Sequence, residues 1–309
     1  MTQKYVPTHP AALYFNELAP YDGENCALFG HFYHPPAPDA LLTRLVAALR
    51  AGTWTVINDI DVNDIVSGGA AYMEGGKRFL LAVFRFGEAY IYHRLQRTAV
   101  PLPRTIGFIS GVKRIGQNIY VCGSQNTVLK FNGVSWSDIS GNIRVPYSGP
   151  GDPILNAIDG FSEEDVYAVG YEGAIFRYDG AQWTRLASPT NHHLHQVLCH
   201  SDGRVYLCGR RGVFLRGRPD AWEDLTLTGH EEDFWGLAAF RKEVYACSYR
   251  RLFRVAGSQL ADEVVAVNSA GTFYRLASNE SYMWTTTGTG HVLRFDGQTW
   301  IEMIWPDSK

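Results

Sequence analysis

The sequence predicts an all-β protein, namely a β-propeller of six or seven four-stranded blades. Three observations lead to this prediction. A strand-rich unit of about 39 residues recurs along the chain, aromatic residues make up 13% of its 309 residues, and 31 glycines provide for many tight turns. A unit of this length cannot bury both faces of its own sheet, so several such units are expected to stack into a ring and share a core.

The repeat is clearest at one aromatic position, which we place in the second strand of each unit. Four occurrences follow one another at intervals of 39 residues, and they are Tyr167, Tyr206, Tyr245 and Trp284. A fifth, Tyr120, lies 47 residues before Tyr167, because the loop SGNIRVPYSGPGDP adds eight residues. A weaker copy places Leu81 a further 39 residues before Tyr120. The regular spacing favours units of equal architecture.

The other parts of each unit keep the same register. A tight turn such as GYEG or GRRG follows the aromatic strand, and glycine supplies the positive φ that such turns need. The third strand carries one basic residue, which is Lys130, Arg177, Arg216, Arg254 or Arg294. The fourth strand opens with a tryptophan in four units, at Trp136, Trp183, Trp222 and Trp300, and with Leu260 in a fifth. We expect the basic residues to pair with local carboxylates or aromatic rings.

The domain organisation follows from the repeat. Residues 1–309 are predicted to form a single propeller domain, with regular blades over 71–309. Residues 1–70 fit the pattern less well, and form either an irregular N-terminal blade or a cap. Within them the segment PDALLTRLVAALRAG predicts a short helix over about 39–50, with Asp39 as its N-cap and Gly52 as its end.

The bulk composition excludes several classes of protein. The net charge is −3, from 28 basic and 31 acidic side chains, so nucleic acid is not the expected partner. The first residues lack the pattern of a secretory signal, and no apolar run is long enough to span a bilayer, so no membrane association is predicted. Five cysteines without the spacing of a disulfide framework favour a cytoplasmic location.

The pattern VYAVGYEGAIFRYDGAQW, with its counterparts between Tyr120 and Trp300, resembles bacterial propellers of the BNR-like and photosystem-assembly-factor type. The likeness covers roughly two-thirds of the chain and is specific for the fold. The related Asp-box of sialidases has a residue between its Asp and Gly, whereas Asp179 and Gly180 are adjacent here. This departure argues against sialidase chemistry. The resemblance implies scaffolding and protein binding, and small propellers of this kind include assembly factors and immunity proteins.

Cysteine and histidine raise the question of a metal or redox site. Cys122, Cys208 and Cys247 all fall two residues after the reference aromatic, which predicts small buried side chains on separate blades. The stretch NHHLHQVLCH offers several potential zinc ligands, but a first strand would send neighbouring side chains to opposite faces. A surface histidine cluster is therefore favoured, and neither a metal nor a cofactor is predicted.

The irregular loops are better candidates for function, because rigid elements hold binding loops in place. The turns between second and third strands share one face with the connections between blades. Ten residues of these loops form the predicted partner-binding site, and they are Arg144, Tyr147, Tyr171, His192, His193, Arg210, Arg211, His230, Arg250 and Arg251. Such a basic, aromatic patch suits an acidic protein surface.

Two functions follow from these features. The leading prediction is a non-enzymatic, protein-binding propeller that acts as a bacterial immunity protein against a cognate toxin, or as an assembly or scaffold factor. No catalytic residue is assigned in this case. The alternative is a propeller enzyme that acts on glycans, as a hydrolase or lyase, at the central funnel. Asp159 and His195 are the titratable groups that the inner strands offer for it.

Overall fold

The computed structural model describes residues 12–33, 43–50, 52–61, 65–94, 96–103, 107–219, 221–227, 229–265, 272–287 and 290–306. Within these residues, strands β1 to β28 form seven antiparallel sheets, each of four strands that are consecutive in the chain. We number these sheets as blades 1 to 7 in chain order. The prediction of an all-β propeller with four-stranded blades is confirmed, and seven such sheets are present.

The strands of the first four blades have the following bounds. Blade 1 contains β1 (Ala12–Asp22), β2 (Asn25–Tyr33), β3 (Thr43–Arg50) and β4 (Thr53–Asp61). Blade 2 contains β5 (Val66–Glu74), β6 (Lys77–Phe84), β7 (Ala89–His93) and β8 (Gln96–Ala99). Blade 3 contains β9 (Ile109–Ile115), β10 (Asn118–Gly123), β11 (Val128–Phe131) and β12 (Trp136–Asp138). Blade 4 contains β13 (Leu155–Ser162), β14 (Asp165–Gly170), β15 (Ile175–Tyr178) and β16 (Trp183–Arg185).

The last three blades follow the same plan. Blade 5 contains β17 (Leu194–Cys199), β18 (Val205–Gly209), β19 (Phe214–Arg218) and β20 (Ala221–Asp224). Blade 6 contains β21 (Phe234–Phe240), β22 (Glu243–Ser248), β23 (Leu252–Ala256) and β24 (Gln259–Glu263). Blade 7 contains β25 (Leu276–Ser278), β26 (Met283–Thr287), β27 (His291–Phe295) and β28 (Trp300–Ile304). Short 3-10 turns span Gly141–Ile143, Tyr171–Gly173 and Arg210–Gly212.

The blades close into a ring through their first strands. Each first strand packs against the first strand of the next blade, and β25 of blade 7 packs against β1 of blade 1. Residues of all seven first strands line a central channel. Because every described sheet consists of consecutive strands, the meeting of blades 7 and 1 depends on side-chain packing and not on an exchanged strand.

The strand registers confirm the sequence repeat. The reference aromatic of the second strand pairs directly with the basic residue of the third strand in five blades: Tyr120 with Lys130, Tyr167 with Arg177, Tyr206 with Arg216, Tyr245 with Arg254, and Trp284 with Arg294. The fourth-strand tryptophan is also in register, as in the pairing of Tyr178 with Trp183. Its indole Nε1 donates to the carbonyl of Ile139, in the connection that leads from blade 3 into blade 4, at 2.8 Å.

The core lies between neighbouring blades, since each sheet covers the apolar face of the next. One cluster joins Tyr120 and Cys122 of blade 3 to Leu155 and Val166 of blade 4. The prediction of buried structural cysteines is confirmed, because Cys122, Cys208 and Cys247 are fully buried and all five cysteines are free thiols. Burial raises the pKa of the Cys247 thiol to about 12, which keeps it protonated at neutral pH.

The basic residues of the third strands form ion pairs, as predicted. Lys130 Nζ lies 2.5 Å from Glu163 of the next blade, and Arg177 Nε lies 2.7 Å from Asp165 of its own blade. Arg216, Arg254 and Arg294 pair in the same way with Glu223, Glu243 and Glu24. The guanidinium of Arg294 also covers the ring of Tyr282, with Cζ 4.4 Å from the centroid. The pairs of Lys130 and Arg294 join two blades, whereas the other three lie within one blade, and the five basic side chains do not converge on one point.

The predicted helix at 39–50 is wrong. Residues 43–50 form strand β3, which pairs on one side with β2 and on the other with β4. Asp39, its predicted cap, lies outside the described residues. The segment contains good helix formers, but its sequence also suits a strand. Hydrogen-bonded pairing with a strand on each side stabilises the strand over the helix. In the described part of the chain, no helix is long and apolar enough to cross a membrane.

Candidate functional site: the loop face and the mouth of the central channel

The turns between second and third strands and the connections between blades lie on one side of the ring, which we call the loop face. Antiparallel strand order puts them there, because every first strand begins and every second strand ends on the same side. All ten predicted partner-binding residues lie on the loop face, in the turns and connections that involve blades 3 to 6. The structure therefore brings these residues to one side of the molecule.

Two turns of this face have the same strained geometry. In the turns Gly170–Gly173 and Gly209–Gly212 the third residue is left-handed, with φ of 55° at Glu172 and 56° at Arg211. The last glycine is also left-handed, and a Cβ on Gly173 would lie 2.0 Å from the carbonyl oxygen of Thr190. The turns therefore pack directly against the connection into the next blade, which makes this part of the loop face rigid.

Side chains from the connections cap these left-handed turns. The backbone N–H of Glu172 donates to Nδ1 of His193 at 2.9 Å, and the imidazole of His193 stacks on Tyr171 with centroids 4.2 Å apart. One blade further on, the backbone N–H of Arg211 donates to Oδ1 of Asp233 at 2.9 Å. His193 and Asp233 both stand immediately before a first strand. Tyr171 and His193 thus fix one blade to the next.

The charge of the loop face is mixed. Arg144 forms an ion pair with Asp138, Arg211 lies 3.9 Å from Glu231, and Arg251 donates twice to Asp262 through Nε and Nη2, at 2.9 and 2.6 Å. Arg210 and Arg250 are exposed and form no ion pair with any described residue. Two of the predicted arginines are therefore available to a partner without breaking an existing pair.

The histidines of the predicted site have different surroundings. His230 packs between Phe234 and Phe253, with centroids 5.0 and 5.3 Å away, and burial lowers the pKa of its imidazole. His192 is half-buried in the connection before blade 5. Among the described residues, no three His, Cys, Asp or Glu side chains are grouped as a metal site would require.

Exposed aromatic side chains are concentrated on the loop face. Phe86 and Tyr249 occupy turns between second and third strands, while Tyr147 and Tyr274 occupy connections between blades. Their exposed fractions range from 46% at Tyr274 to 76% at Tyr147. Tyr14, near the start of a first strand, is the one other strongly exposed aromatic residue of the described chain. Exposed rings collected on one side of a protein are typical of a binding surface.

A ring of β-bulges surrounds the channel where it opens on the loop face. The first strands of six blades skip one residue in their pairing at the same level, and these residues are Asn16, Ser67, Ser110, Asn156, His195 and Trp235. A bulge turns its side chain out of the regular alternation. These residues therefore occupy equivalent places around the mouth of the channel.

Three bulge side chains fasten their blade to the following one. Ser67 Oγ donates to the carbonyl of Ile109 at 2.6 Å, and Asn156 Nδ2 donates to the carbonyl of Leu194 at 2.8 Å. The Nδ1–H of His195 donates to the carbonyl of Phe234 at 3.0 Å. In each case the acceptor directly precedes the bulge position of the next blade. We call these bonds the inter-blade latches.

Three rings form a continuous stack at the mouth of the channel. His195 stacks on Trp235 with centroids 4.4 Å apart and 9° between planes, and Trp235 stacks on Tyr274 at 5.9 Å and 4°. The three residues come from blades 5 and 6 and from the connection into blade 7. Burial lowers the pKa of His195, so its imidazole is neutral at neutral pH. We call His195, Trp235 and Tyr274 the aromatic arc.

The wall of the channel contains two ion pairs in a cavity of about 510 Å³. Arg275 Nε lies 2.5 Å from Glu17 Oε1, and Lys113 Nζ lies 3.4 Å from Asp159 Oδ2. Asp159 also accepts from the backbone N–H of Cys199 at 3.0 Å. Cys199 stands four residues beyond His195 in β17, or about 13 Å along an extended strand. Asp159 and His195 therefore lie at different depths and do not converge.

The sequence prediction missed the aromatic arc and the ion pair between Arg275 and Glu17. A signal was present, because Asn156, His195, Trp235 and Tyr274 follow one another at intervals of 39 or 40 residues. These four side chains differ so much in chemistry that a comparison of the repeats by residue type does not identify them as one series. The strand register, with its bulge, shows that Asn156, His195 and Trp235 are equivalent, and Tyr274 follows in the connection into blade 7.

Together, the fold and the exposed loop face indicate a protein-binding β-propeller. The chain belongs to the family of the immune protein Tsi7 of Pseudomonas aeruginosa, with which it is 33% identical over 260 residues, covering 82% of this chain and 85% of that protein. The prediction of a bacterial immunity propeller is thereby confirmed. No model of a protein family matches the chain, so the BNR-like part of the resemblance has no such support.

Solved structures agree on the fold. YCF48, in a structure described as bound to D1 peptide, superposes with a TM-score of 0.65 at 15% identity, over 94% of this chain and 96% of that one. Sqt1 of Chaetomium thermophilum, bound to the N-terminus of the ribosomal protein L10, gives a TM-score of 0.64 at 15% identity, over 96% and 89% of the two chains. YCF48 from Cyanidioschyzon merolae gives 0.58 at 16% identity, over 81% and 87%. The resemblance to photosystem assembly factors is confirmed at the level of the fold.

Proposed function

We propose that this chain neutralises a protein toxin by binding it stoichiometrically across the loop face. The observation that carries the proposal is the collection of exposed aromatic side chains on this one face, beside two turns that pack directly on neighbouring connections. Rigid aromatic anchors lose little conformational entropy on binding and commonly dominate interface energies. Membership of the Tsi7 family supplies the immune role.

The solved neighbours support a protein segment as the ligand. YCF48 and Sqt1 have this fold, and their structures contain a D1 peptide and the N-terminus of a ribosomal protein, respectively. The glycan-enzyme alternative gains no such support. The two acidic side chains described in the channel wall, Glu17 and Asp159, are each engaged by a cation.

Within the predicted site, the residues take different parts in the proposed binding. Arg210 and Arg250 are exposed without ion pairs in the described chain, so we assign them to direct contact with acidic groups of the toxin. Tyr171 and His193 hold two blades together and shape the surface. Arg211 and Arg251 already have carboxylate partners, so they contribute less charge to the interface.

A co-expression experiment tests the proposal with the protein encoded beside this gene as the candidate toxin. The wild type should restore growth of a bacterial host that produces this protein, and the two should co-elute as a complex. The double variant Arg210→Glu with Arg250→Glu should bind at least about tenfold more weakly, because two attractive contacts become repulsive.

The matched control is Arg204→Glu with Lys242→Glu. It makes the same charge change on the same two blades, but in exposed turns on the opposite side of the ring. It should bind within about twofold of the wild type, since surface charges far from the interface contribute little. Equal binding by both double variants would show that the loop face is not the interface.

We also propose that neutralisation takes place in the cytoplasm. All five cysteines are unpaired thiols, and four of them are fully buried, which suits a reducing compartment. Cell fractionation of the native host checks this proposal, and recovery of the protein in a secreted or periplasmic fraction would contradict it.

A further inference from the structure

The three rings of the aromatic arc are stacked on one another, and the stacking determines which parts of the rings a partner can reach. In the order of the blades Trp235 lies between His195 and Tyr274, and its indole is stacked with both rings, with 9° and 4° between the ring planes. The guanidinium Cζ of Arg275 lies 5.8 Å from the centroid of Tyr274. Tyr274 is still 46% exposed, and the other two rings are half-buried. Because stacked neighbours occupy ring face and not ring edge, we expect a partner to meet mainly the edge of Trp235.

The edge of an aromatic ring is electropositive and its face is electronegative. An arc that presents an edge therefore favours the face of an incoming ring, in an edge-to-face arrangement. Nucleic-acid bases and sugars are bound differently, since they stack flat on exposed ring faces. The stacking of Trp235 with two neighbouring rings leaves less free face for such a platform, so an aromatic side chain of a protein is the better fit.

Two arginines without ion pairs in the described chain lie in turns that adjoin the arc. The backbone N–H of Arg210 donates to the carbonyl of His193 at 2.8 Å, two residues before the arc begins. At the other end, the N–H of Phe273 donates to the carbonyl of Tyr249 at 2.9 Å, which places Arg250 in the adjoining turn. Neither arginine has an ion pair among the described residues. Both attract a carboxylate and repel a basic side chain.

We propose that the aromatic arc is the energetic centre of the toxin interface, and that it receives a toxin loop carrying an aromatic side chain next to a carboxylate. The aromatic side chain packs on the edge of Trp235 beside Tyr274, while the carboxylate pairs with Arg210 or Arg250. The channel behind the arc has room for the tip of such a loop. This inference rests on the proposed function, because it names the chemistry that the loop face recognises.

Peptide selection tests the chemistry without knowledge of the toxin. A phage library of disulfide-closed random heptapeptides is selected on the full-length wild type. Enriched loops should combine Phe, Tyr or Trp with an adjacent Asp or Glu, and their binding should fall at least about tenfold on Tyr274→Ala, as loss of a central anchor does. Enrichment of Arg-rich or Lys-rich loops, or equal binding to Tyr274→Ala, would overturn the inference.

The matched control is Ile301→Ala. Ile301 lies on the outermost strand of blade 7 and is 43% exposed, so its truncation removes a similarly exposed apolar side chain far from the channel mouth. The selected loops should bind this variant within about twofold of the wild type. Thermal midpoints of both variants exclude unfolding as the cause of any loss, and Trp235→Phe provides a second, conservative test at the arc.

The product of the neighbouring gene separates this inference from the proposed function. If it binds the wild type and Arg210→Glu with Arg250→Glu abolishes the complex, but Tyr274→Ala and Trp235→Phe leave the affinity unchanged, the loop face is the interface and the arc is not its centre. If it does not bind the wild type, the proposed function fails for that partner, while the peptide selection still decides the chemistry of the arc.

Discussion

Arg275 and Glu17 join the last blade of the ring to the first, with Nε of the guanidinium 2.5 Å from Oε1 of the carboxylate. The same guanidinium donates through Nη1 to the carbonyl of Trp235 at 3.0 Å, so it links blades 6, 7 and 1. Around it, Phe15 and Leu18 of blade 1 pack in one cluster with Trp284 of blade 7. This seam is formed by side chains, whereas strands within each blade are joined by backbone hydrogen bonds.

We expect Arg275→Met to destabilise the protein by about 2 kcal/mol, because it leaves the carboxylate of Glu17 and the carbonyl of Trp235 without their donor in a largely buried place. Urea unfolding measures this change. The double variant Arg275→Met with Glu17→Gln should lose less than the sum of the two single variants, since the second change removes the uncompensated charge. Additive losses would mean that the ion pair contributes nothing to closure.

A glycine in a loop-face turn provides a second prediction. Gly173→Ala places a Cβ at 2.0 Å from the backbone oxygen of Thr190, in a left-handed conformation with φ of 68°. We expect a loss of at least about 2 kcal/mol in the free energy of unfolding, from the clash and the unfavourable φ together.

The control for this variant is Gly257→Ala. Gly257 has φ of 62°, but a Cβ there meets no atom within 4 Å. Only the conformational term remains, so the loss should be about 1 kcal/mol. If the two variants are equally stable in urea, the turn does not pack against the connection as closely as the structure shows.

Acid should weaken a second contact of the seam. The hydrogen bond and the charge of Arg294 lower the pKa of Glu24 below its ordinary value of 4.5. The folded state therefore binds fewer protons at this group than the unfolded state does, and the stabilisation is present above about pH 4.5 and disappears as the pH falls through the folded pKa.

The measurement is the thermal midpoint of the wild type and of Glu24→Gln between about pH 7 and pH 3. The wild type should be the more stable protein at neutral pH, and the difference should shrink as Glu24 takes up its proton. Glu280→Gln removes an exposed carboxylate of blade 7 and serves as the control. A difference between the wild type and Glu24→Gln that stays constant with pH would contradict the assigned pKa shift.

Most of this architecture could be predicted from the sequence, because the residues that pack in equivalent places of each blade recur at a regular spacing. The aromatic residue of each second strand and the basic residue of each third strand recur at fixed spacing, and both take the same place in every regular blade. Strand β3 was predicted wrongly because TRLVAALR suits a helix and a strand about equally well. Only pairing with β2 and β4, which are set by tertiary structure, decides between them.

The candidate site was harder to predict. The loop face followed from topology, and the ten predicted residues lie on it. The aromatic arc did not follow, because His195 and Trp235 occupy bulges that share no residue type and Tyr274 lies in the connection into blade 7. The carboxylate partners of Arg144 and Arg251 did not follow either, since they are set by the folded turns.

The inter-blade latches have a consequence for how such a protein can diversify. Their acceptors are backbone carbonyls, whereas their donors are serine, asparagine and histidine side chains. Every residue has a backbone carbonyl, so the acceptor is kept when its residue mutates. A mutation can therefore replace one side-chain donor by another and keep the hydrogen bond between the blades. The side chains at the mouth of the channel can therefore change from blade to blade while the closed ring is preserved. Such changes would allow the protein to follow changes in the toxin that it binds.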